Sequence, residues 1–128
     1  MTLLESFNIQ FDMKEDGSFT ATMPIHEFYT QHQGYVAGGV YLILAETAGG
    51  YASNLMGEKA EEKYVAVGQN INAHHVRPKK SDGGFITASG TLLHKGKSTH
   101  LWDIKITDEN DKLISTVSVQ NFIIQLGK

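Results

Sequence analysis

Only one stretch of this chain, residues 40–55, has the composition of a long helix, and it is apolar almost all the way round. Val40, Leu42, Ile43, Leu44, Ala45, Ala48, Tyr51 and Ala52 are spread over its whole circumference. A helix without a polar face is expected to be buried centrally rather than laid on a surface. Ala45, Ala48, Gly49 and Ala52 also form a small-residue face that permits close approach to a sheet.

The rest of the chain reads as strands. Phe7, Ile9, Phe11 and Met13 alternate with polar residues, the period of a half-buried strand. Lys14-Glu15-Asp16-Gly17 turns the chain, and residues 19–23 resume the alternation, which predicts a hairpin. Residues 26–36 have no clear period and read as a loop that ends at Gly38-Gly39. Beyond the helix, strand patterns return at Val65, Val67, Gln69, Ile71 and Ala73, then at residues 85–93, 99–107 and 113–124. The turns Ser81-Asp82-Gly83-Gly84, His94-Lys95-Gly96-Lys97 and Asp108-Glu109-Asn110-Asp111 are short enough for hairpins. The predicted order is two strands, one helix and four strands. That is an α+β architecture, one helix wrapped by a curved antiparallel sheet, in a single domain over residues 1–128.

Composition narrows the function. With 128 residues and 41% apolar side chains, the chain can build one real core. A net charge of −3 with no long run of like charge argues against a nucleic-acid partner. The first ten residues lack a basic segment followed by an apolar run, so no signal peptide is expected. No apolar run is long enough to span a bilayer, so no membrane partner is expected. The absence of cysteine removes disulfides, thiolate metal sites and a cysteine nucleophile, and fits a cytoplasmic protein. His74-His75 lie next to each other on a strand and so face opposite ways, which argues against a shared metal ion. No metal and no cofactor are expected.

Glu46 breaks the apolar run of the helix. A carboxylate there loses hydration and costs several kcal/mol unless paired or protonated, and desolvated carboxylates serve as general bases and nucleophiles. A narrow solvent stripe or a structural ion pair are the alternatives. Gly38-Gly39 at the start of the helix exposes unpaired N–H groups at the positive end of the dipole, suited to polarising a carbonyl oxygen; a plain loop glycine pair is the other reading. Gly38 and Glu46 are eight residues apart, about 12 Å along a helix. One reacting carbonyl carbon cannot touch both. If both act on one substrate they come from two subunits, which predicts a dimer with shared sites.

These residues resemble a known family. Residues 31–50, QHQGYVAGGVYLILAETAGG, are similar to the motif that leads into the helix in hotdog-fold acyl-CoA thioesterases of the phenylacetate-pathway type. This group includes the bacterial dihydroxynaphthoyl-CoA and enterobactin-proofreading thioesterases. Their pattern is a Gln, six positions later His-Gly-Gly, then Leu-Ala-Glu on the helix. Here Gln31, Gly38-Gly39 and Leu44-Ala45-Glu46 keep the spacing. Ile71-Asn72-Ala73-His74-His75-Val76-Arg77 resembles the family's Asn-Ala-x-His-x-Arg strand end. Leu93-His94-Lys95-Gly96-Lys97 resembles its Leu-His-x-Gly-Arg turn, and Trp102-Asp103-Ile104 its Trp-x-Ile strand.

The resemblance implies hydrolysis of an acyl-CoA. Glu46 would attack the thioester carbonyl or activate water. Gly38 and Gly39 would hold the oxyanion, Gln31 would orient water or the carbonyl, and His75 would lie near the acyl group or the carboxylate. Arg77, Lys79 and the turn His94, Lys95, Gly96 and Lys97 would meet the CoA phosphates. Taken alone, each of those lysines reads as a solvated turn residue. The family commonly forms homotetramers, as dimers of dimers. Two departures stand out: the His before Gly-Gly is Ala37 here, and the Ser or Thr often found four residues after the Glu is Gly50.

Two rival functions share the fold. A 3-hydroxyacyl thioester dehydratase would use His32 and Glu46, which have its fourteen-residue spacing, as base and acid. The His-Phe-Pro…Pro-Gly-Val pattern of such enzymes is absent. A non-catalytic acyl-CoA-binding protein is the other rival, suggested by Ala37 and Gly50. Phe28, Tyr29, Tyr35 and Tyr51 are candidates to line an aromatic acyl pocket, or to serve as packing residues.

Overall fold

The computed structural model describes residues 2–30 and 32–127. The order of elements is α1 (Leu3–Ser6), β1 (Gln10–Met13), β2 (Phe19–Pro24), a 3-10 turn (Glu27–Tyr29), α2 (Gly38–Lys59), β3 (Tyr64–His75), β4 (Phe85–Lys95), β5 (Thr99–Thr107) and β6 (Leu113–Gln125). The six strands form one sheet in the order β1-β2-β4-β5-β6-β3, and every pairing is antiparallel. The predicted strands and helix are all present, in sequence.

Two local readings are corrected. Phe7 is not the start of a strand but the C-cap of α1, whose N-cap Thr2 forms a reciprocal capping box with Glu5. Capping outweighs a single alternating pair. The loop before α2 is more ordered than expected, with the 3-10 turn and the bridges Thr30↔Val36 and Tyr35↔Lys80.

The helix needs a larger correction. It lies on one face of the sheet and buries Val40, Tyr41, Leu44, Ala45, Ala48, Gly49, Ala52, Ser53 and Gly57. Leu42 and Ile43 are half-buried, and Tyr51 is exposed. One sheet covers one side of a helix, so apolar residues all round did not mean burial all round. The small-residue face does what its composition allows: a Cβ on Gly49 would lie 3.5 Å from Val119 and 3.6 Å from Ile104.

The sheet's inner face supplies Phe19, Met23, Ile86, Trp102, Ile104, Ile106 and Val119, each almost fully buried. Among these, Trp102 meets the Phe19 ring edge-on at 5.1 Å.

A buried polar hub fixes α2 to the sheet. The Ser53 hydroxyl accepts from Trp102 Nε1 (2.9 Å) and from Asn121 Nδ2 (3.1 Å) and lies 2.8 Å from His100 Nδ1. With both lone pairs taken, the Ser53 proton must go to His100, which is therefore the neutral tautomer that accepts at Nδ1. Asn121 Nδ2 also donates to the Gly49 carbonyl, and the Tyr64 hydroxyl to the Ser53 carbonyl. The helix thus runs beside β3 in the opposite direction, Gly57 and Ser53 near Tyr64, and Gly38 near His75.

No described helix is long and apolar enough to cross a membrane.

Burial pushes the His100 pKa below its ordinary value, assisted by the Lys95 ammonium and opposed by Glu62. The unfolded chain then binds this proton more readily than the folded one. The network's contribution is whole above about pH 6.5 and is lost as pH falls from there toward the depressed value. Urea unfolding between about pH 7.5 and 5 should show this loss, and His100→Gln should flatten that part of the profile. Equal slopes in the two proteins would remove His100 from the account.

Candidate active site

Glu46 does not sit in a dry interior. It is exposed, on the flank of α2 that borders the edge strand β3. Its carboxylate rests over β3, where a Cβ on Gly68 would lie 2.5 Å from Glu46 Oε2. Gly68 leaves the space that this carboxylate occupies. β3 bulges immediately after it, between Gly68 and Asn70. A glycine inside a strand pattern marks close approach of another group, and Gly68 is such a glycine.

The Gly38-Gly39 pair opens α2 as its first two residues, after the N-cap Ala37, which supplies no side-chain cap. First-turn N–H groups have no partner within the helix. The Val40 N–H reaches the Ala37 carbonyl at 3.0 Å, so the donors left at this end are those of Gly38 and Gly39. His75 closes over them: its Nε2 would be 2.9 Å from a Cβ on Gly38. His75 Nδ1 lies 2.8 Å from Ser115 Oγ, and its ring meets Tyr41 edge-on at 5.2 Å. A cleft of about 360 Å³ opens here, lined by Tyr35, Gly38, Tyr41, His75 and Arg77 among others. His74 points the other way, into a surface hollow with Asp103 and Lys105.

Within one chain, Glu46 and this cleft are apart. Glu46 marks Gly68 on β3 and the cleft marks His75, seven residues on, a span of roughly 20 Å in an extended strand. Both open along β3, an edge strand of the sheet.

The basic residues divide likewise. Arg77 lines the His75 cleft. Lys95, Gly96 and Lys97 line a separate polar hollow of about 270 Å³ with Glu62, Tyr64 and His100, beside the opposite end of β3. His94 is exposed next to that turn, its Nε2 against Gly96. Lys79 is unlike the rest: it is 7% exposed and its Nζ is 2.8 Å from Glu109 Oε1. The Lys79 ammonium holds the Glu109 carboxyl below the usual carboxylate range. That charge is spent inside the fold and is not open to a phosphate.

Gln31 lies outside the described residues, as does the side chain of Phe28. Tyr29 is a packing residue, 6% exposed and 5.6 Å from the Phe7 ring. Tyr51 lines an open pocket with Leu3, Leu4 and Thr47. His32 is exposed in the turn before Val36. Sequence reasoning missed Ser115 and Tyr41, whose partnership with His75 depends on strand register and helix placement.

The family model of the thioesterase superfamily matches residues 33–115. The 1,4-dihydroxy-2-naphthoyl-CoA hydrolase of Listeria monocytogenes is 38% identical over 114 residues, covering 89% of this chain and 89% of that protein. The proofreading thioesterase EntH of Klebsiella pneumoniae is 33% identical over 115 residues, covering 90% of this chain and 80% of that protein. The crystal structure of a Haemophilus influenzae thioesterase superposes with a TM-score of 0.86 at 32% identity, over 99% of this chain and 85% of that one. Family match, identity, coverage and fold agree that the chain belongs to the thioesterase superfamily, as a hotdog-fold thioester hydrolase.

Proposed function

We propose that the chain, acting as one hotdog domain, hydrolyses an acyl-CoA to the free acid and CoA, with Glu46 as the carboxylate that attacks the thioester carbonyl or activates the water that does. One observation carries this reading: Glu46 is seated at Gly68 on an uncovered edge strand, while Gly38, His75 and Arg77 form a cleft at that strand's far end. Each half is incomplete alone. Twelve residues of β3 present an unpaired edge, and a long bare edge is a template for pairing. Antiparallel pairing of β3 with its copy would set the start of one strand beside the end of the other. Glu46 and the Lys95-Gly96-Lys97 turn of one subunit would then approach Gly38, Gly39, His75 and Arg77 of the next.

The assembled site has a role for each group. The free N–H groups at the start of α2 receive the carbonyl oxygen as it becomes an oxyanion. Glu46 approaches the carbonyl carbon, and Gln31 orients the water or the carbonyl. Arg77, Lys95 and Lys97 meet the phosphates of CoA, with His94 at the rim. Lys79 is left out because Glu109 neutralises it. Tyr35 at one cleft and Tyr51 at another support an aromatic acyl group, as does the aromatic acyl-CoA named for the Listeria relative. Val65 pairs with Ile124 and Val67 with Phe122, and all four are about 40% exposed on the outer face of the sheet. That apolar patch supports association of two dimers into a tetramer. A cytoplasmic location fits a CoA ester as substrate.

Glu46→Gln should lower hydrolysis by about three orders of magnitude while leaving CoA-ester affinity largely intact, because the amide keeps shape and loses charge. A panel of acyl-CoAs with a thiol-trapping reagent reads this directly. Enoyl absorbance without thiol release would favour the dehydratase pairing of His32 with Glu46; retention of more than about a tenth of wild-type turnover would end the role of Glu46.

The shared site is tested by complementation. Any Cβ at Gly38 presses on His75, so glycine variants disturb two groups at once; His75→Ala is the cleaner lesion. Glu46→Gln and His75→Ala homodimers should both be nearly inactive. A mixed dimer places both lesions in one site and leaves the other intact. Co-refolding should recover up to about a quarter of wild-type activity under random pairing. Folded mixed dimers without recovery would show that Glu46 and His75 do not serve one thioester across the interface.

A further inference from the structure

His75 is held by more than packing. Ser115 lies on β6 directly opposite it in the strand register, fully buried. Ser115 Oγ has two polar neighbours: His75 Nδ1 at 2.8 Å and the backbone carbonyl of His74 at 3.2 Å. A carbonyl oxygen can only accept, so the hydroxyl proton of Ser115 goes to His74. With the hydroxyl proton directed at the His74 carbonyl, the contact with His75 is Nδ1–H donating to Ser115 Oγ. A neutral imidazole that carries its proton on Nδ1 keeps a lone pair on Nε2. That Nε2 is the atom against Gly38. Tyr41, 3% exposed, fixes the ring edge-on from the helix side.

We propose that Ser115 is a positioning residue that locks His75 in the Nδ1–H tautomer, so that Nε2 faces the start of α2 as a hydrogen-bond acceptor. This rests on the hydrolytic reading above. It sorts the cleft's polarity. Gly38 and Gly39 offer only donors, matched to an oxyanion, and His75 offers an acceptor beside them, matched to a water O–H. The opposite tautomer would put a third donor at the same spot and remove the acceptor that His75 offers there. It also identifies an imidazole at the start of α2 despite Ala37: it comes from the end of β3, and Ser115 sets its polarity.

Two measurements test this independently. In a two-bond nitrogen–proton correlation spectrum at a pH where His75 is neutral, with His75→Gln providing the assignment, wild-type His75 should show the Nδ1–H pattern. Ser115→Ala should move it toward Nε2–H, the form free imidazole prefers, and Ser115→Thr should restore the wild-type pattern. Nδ1 as acceptor in the wild type, or no change in Ser115→Ala, overturns the lock. In the acyl-CoA assay Ser115→Ala should lower kcat by about ten- to a hundredfold with little change in KM, the scale of outer partners that orient a histidine. Ser115→Thr should recover most of that loss. An altered tautomer with unaltered kcat overturns the positioning role. If the wild-type protein released no thiol from any acyl-CoA, the hydrolytic reading would fall, and the spectrum would still decide the lock.

Discussion

Among the described residues, one face of one sheet is all that the long helix α2 is offered. The match between them is made by the smallest residues on α2: Ala45, Ala48, Gly49 and Ala52 bring the backbone so close that a Cβ on Gly49 would already touch Val119 and Ile104. At that distance a serine hydroxyl can reach three partners on two strands, and Ser53 does. Because β3 follows α2 directly and runs back alongside it, the helix start, middle and end are set opposite His75, Gly68 and Tyr64. Every functional candidate takes its place from that alignment. A side chain larger than alanine at Gly49 would push the helix outward and move Gly38 away from His75.

The same arrangement explains why the far side of α2 stays open. With the sheet on one side only, Leu42 and Ile43 are half-buried and Glu46 and Tyr51 are exposed. Among the described residues the outer edge of β3 is unpaired as well. An unpaired strand edge and a partly apolar helix side, both bare along one boundary, are the features on which the proposed dimer rests.

Much of the fold was legible because its signals are local. Alternation marks β2, β4, β5 and β6, and composition marks α2 to within two residues at its start and four at its end. Where the reading missed, a tertiary or capping term decided. Phe7 alternates like a strand residue, yet the Thr2–Glu5 capping box draws it into α1. The site was legible in part. Glu46 and Gly38 are conspicuous as a carboxylate and a glycine pair in an apolar run. Ser115 is not, since its meaning comes from being opposite His75 across two strands forty residues apart in sequence. Lys79 was misread because nothing local shows that Glu109, thirty residues on, folds back to neutralise it.

Glu46 shows why the sequence argument and the structure differ, and how they meet. A carboxylate on an apolar helix was expected to lose its water within the fold; here it keeps it. Folding therefore does not bear the several kcal/mol that burying an unpaired charge costs. In the proposed dimer that cost falls later, when a second helix start and an acyl chain close over Glu46. Charges that are dehydrated only on assembly interact more strongly with a reacting carbonyl than charges left in bulk water, because fewer solvent dipoles oppose them. A carboxylate hydrated in the free chain and dry in the occupied site would couple its reactivity to pairing and substrate. The Gly68 hollow makes this possible, since it fixes the position of Glu46 before any partner arrives. In the proposed dimer, preorganisation would belong to the single chain and desolvation to the assembly.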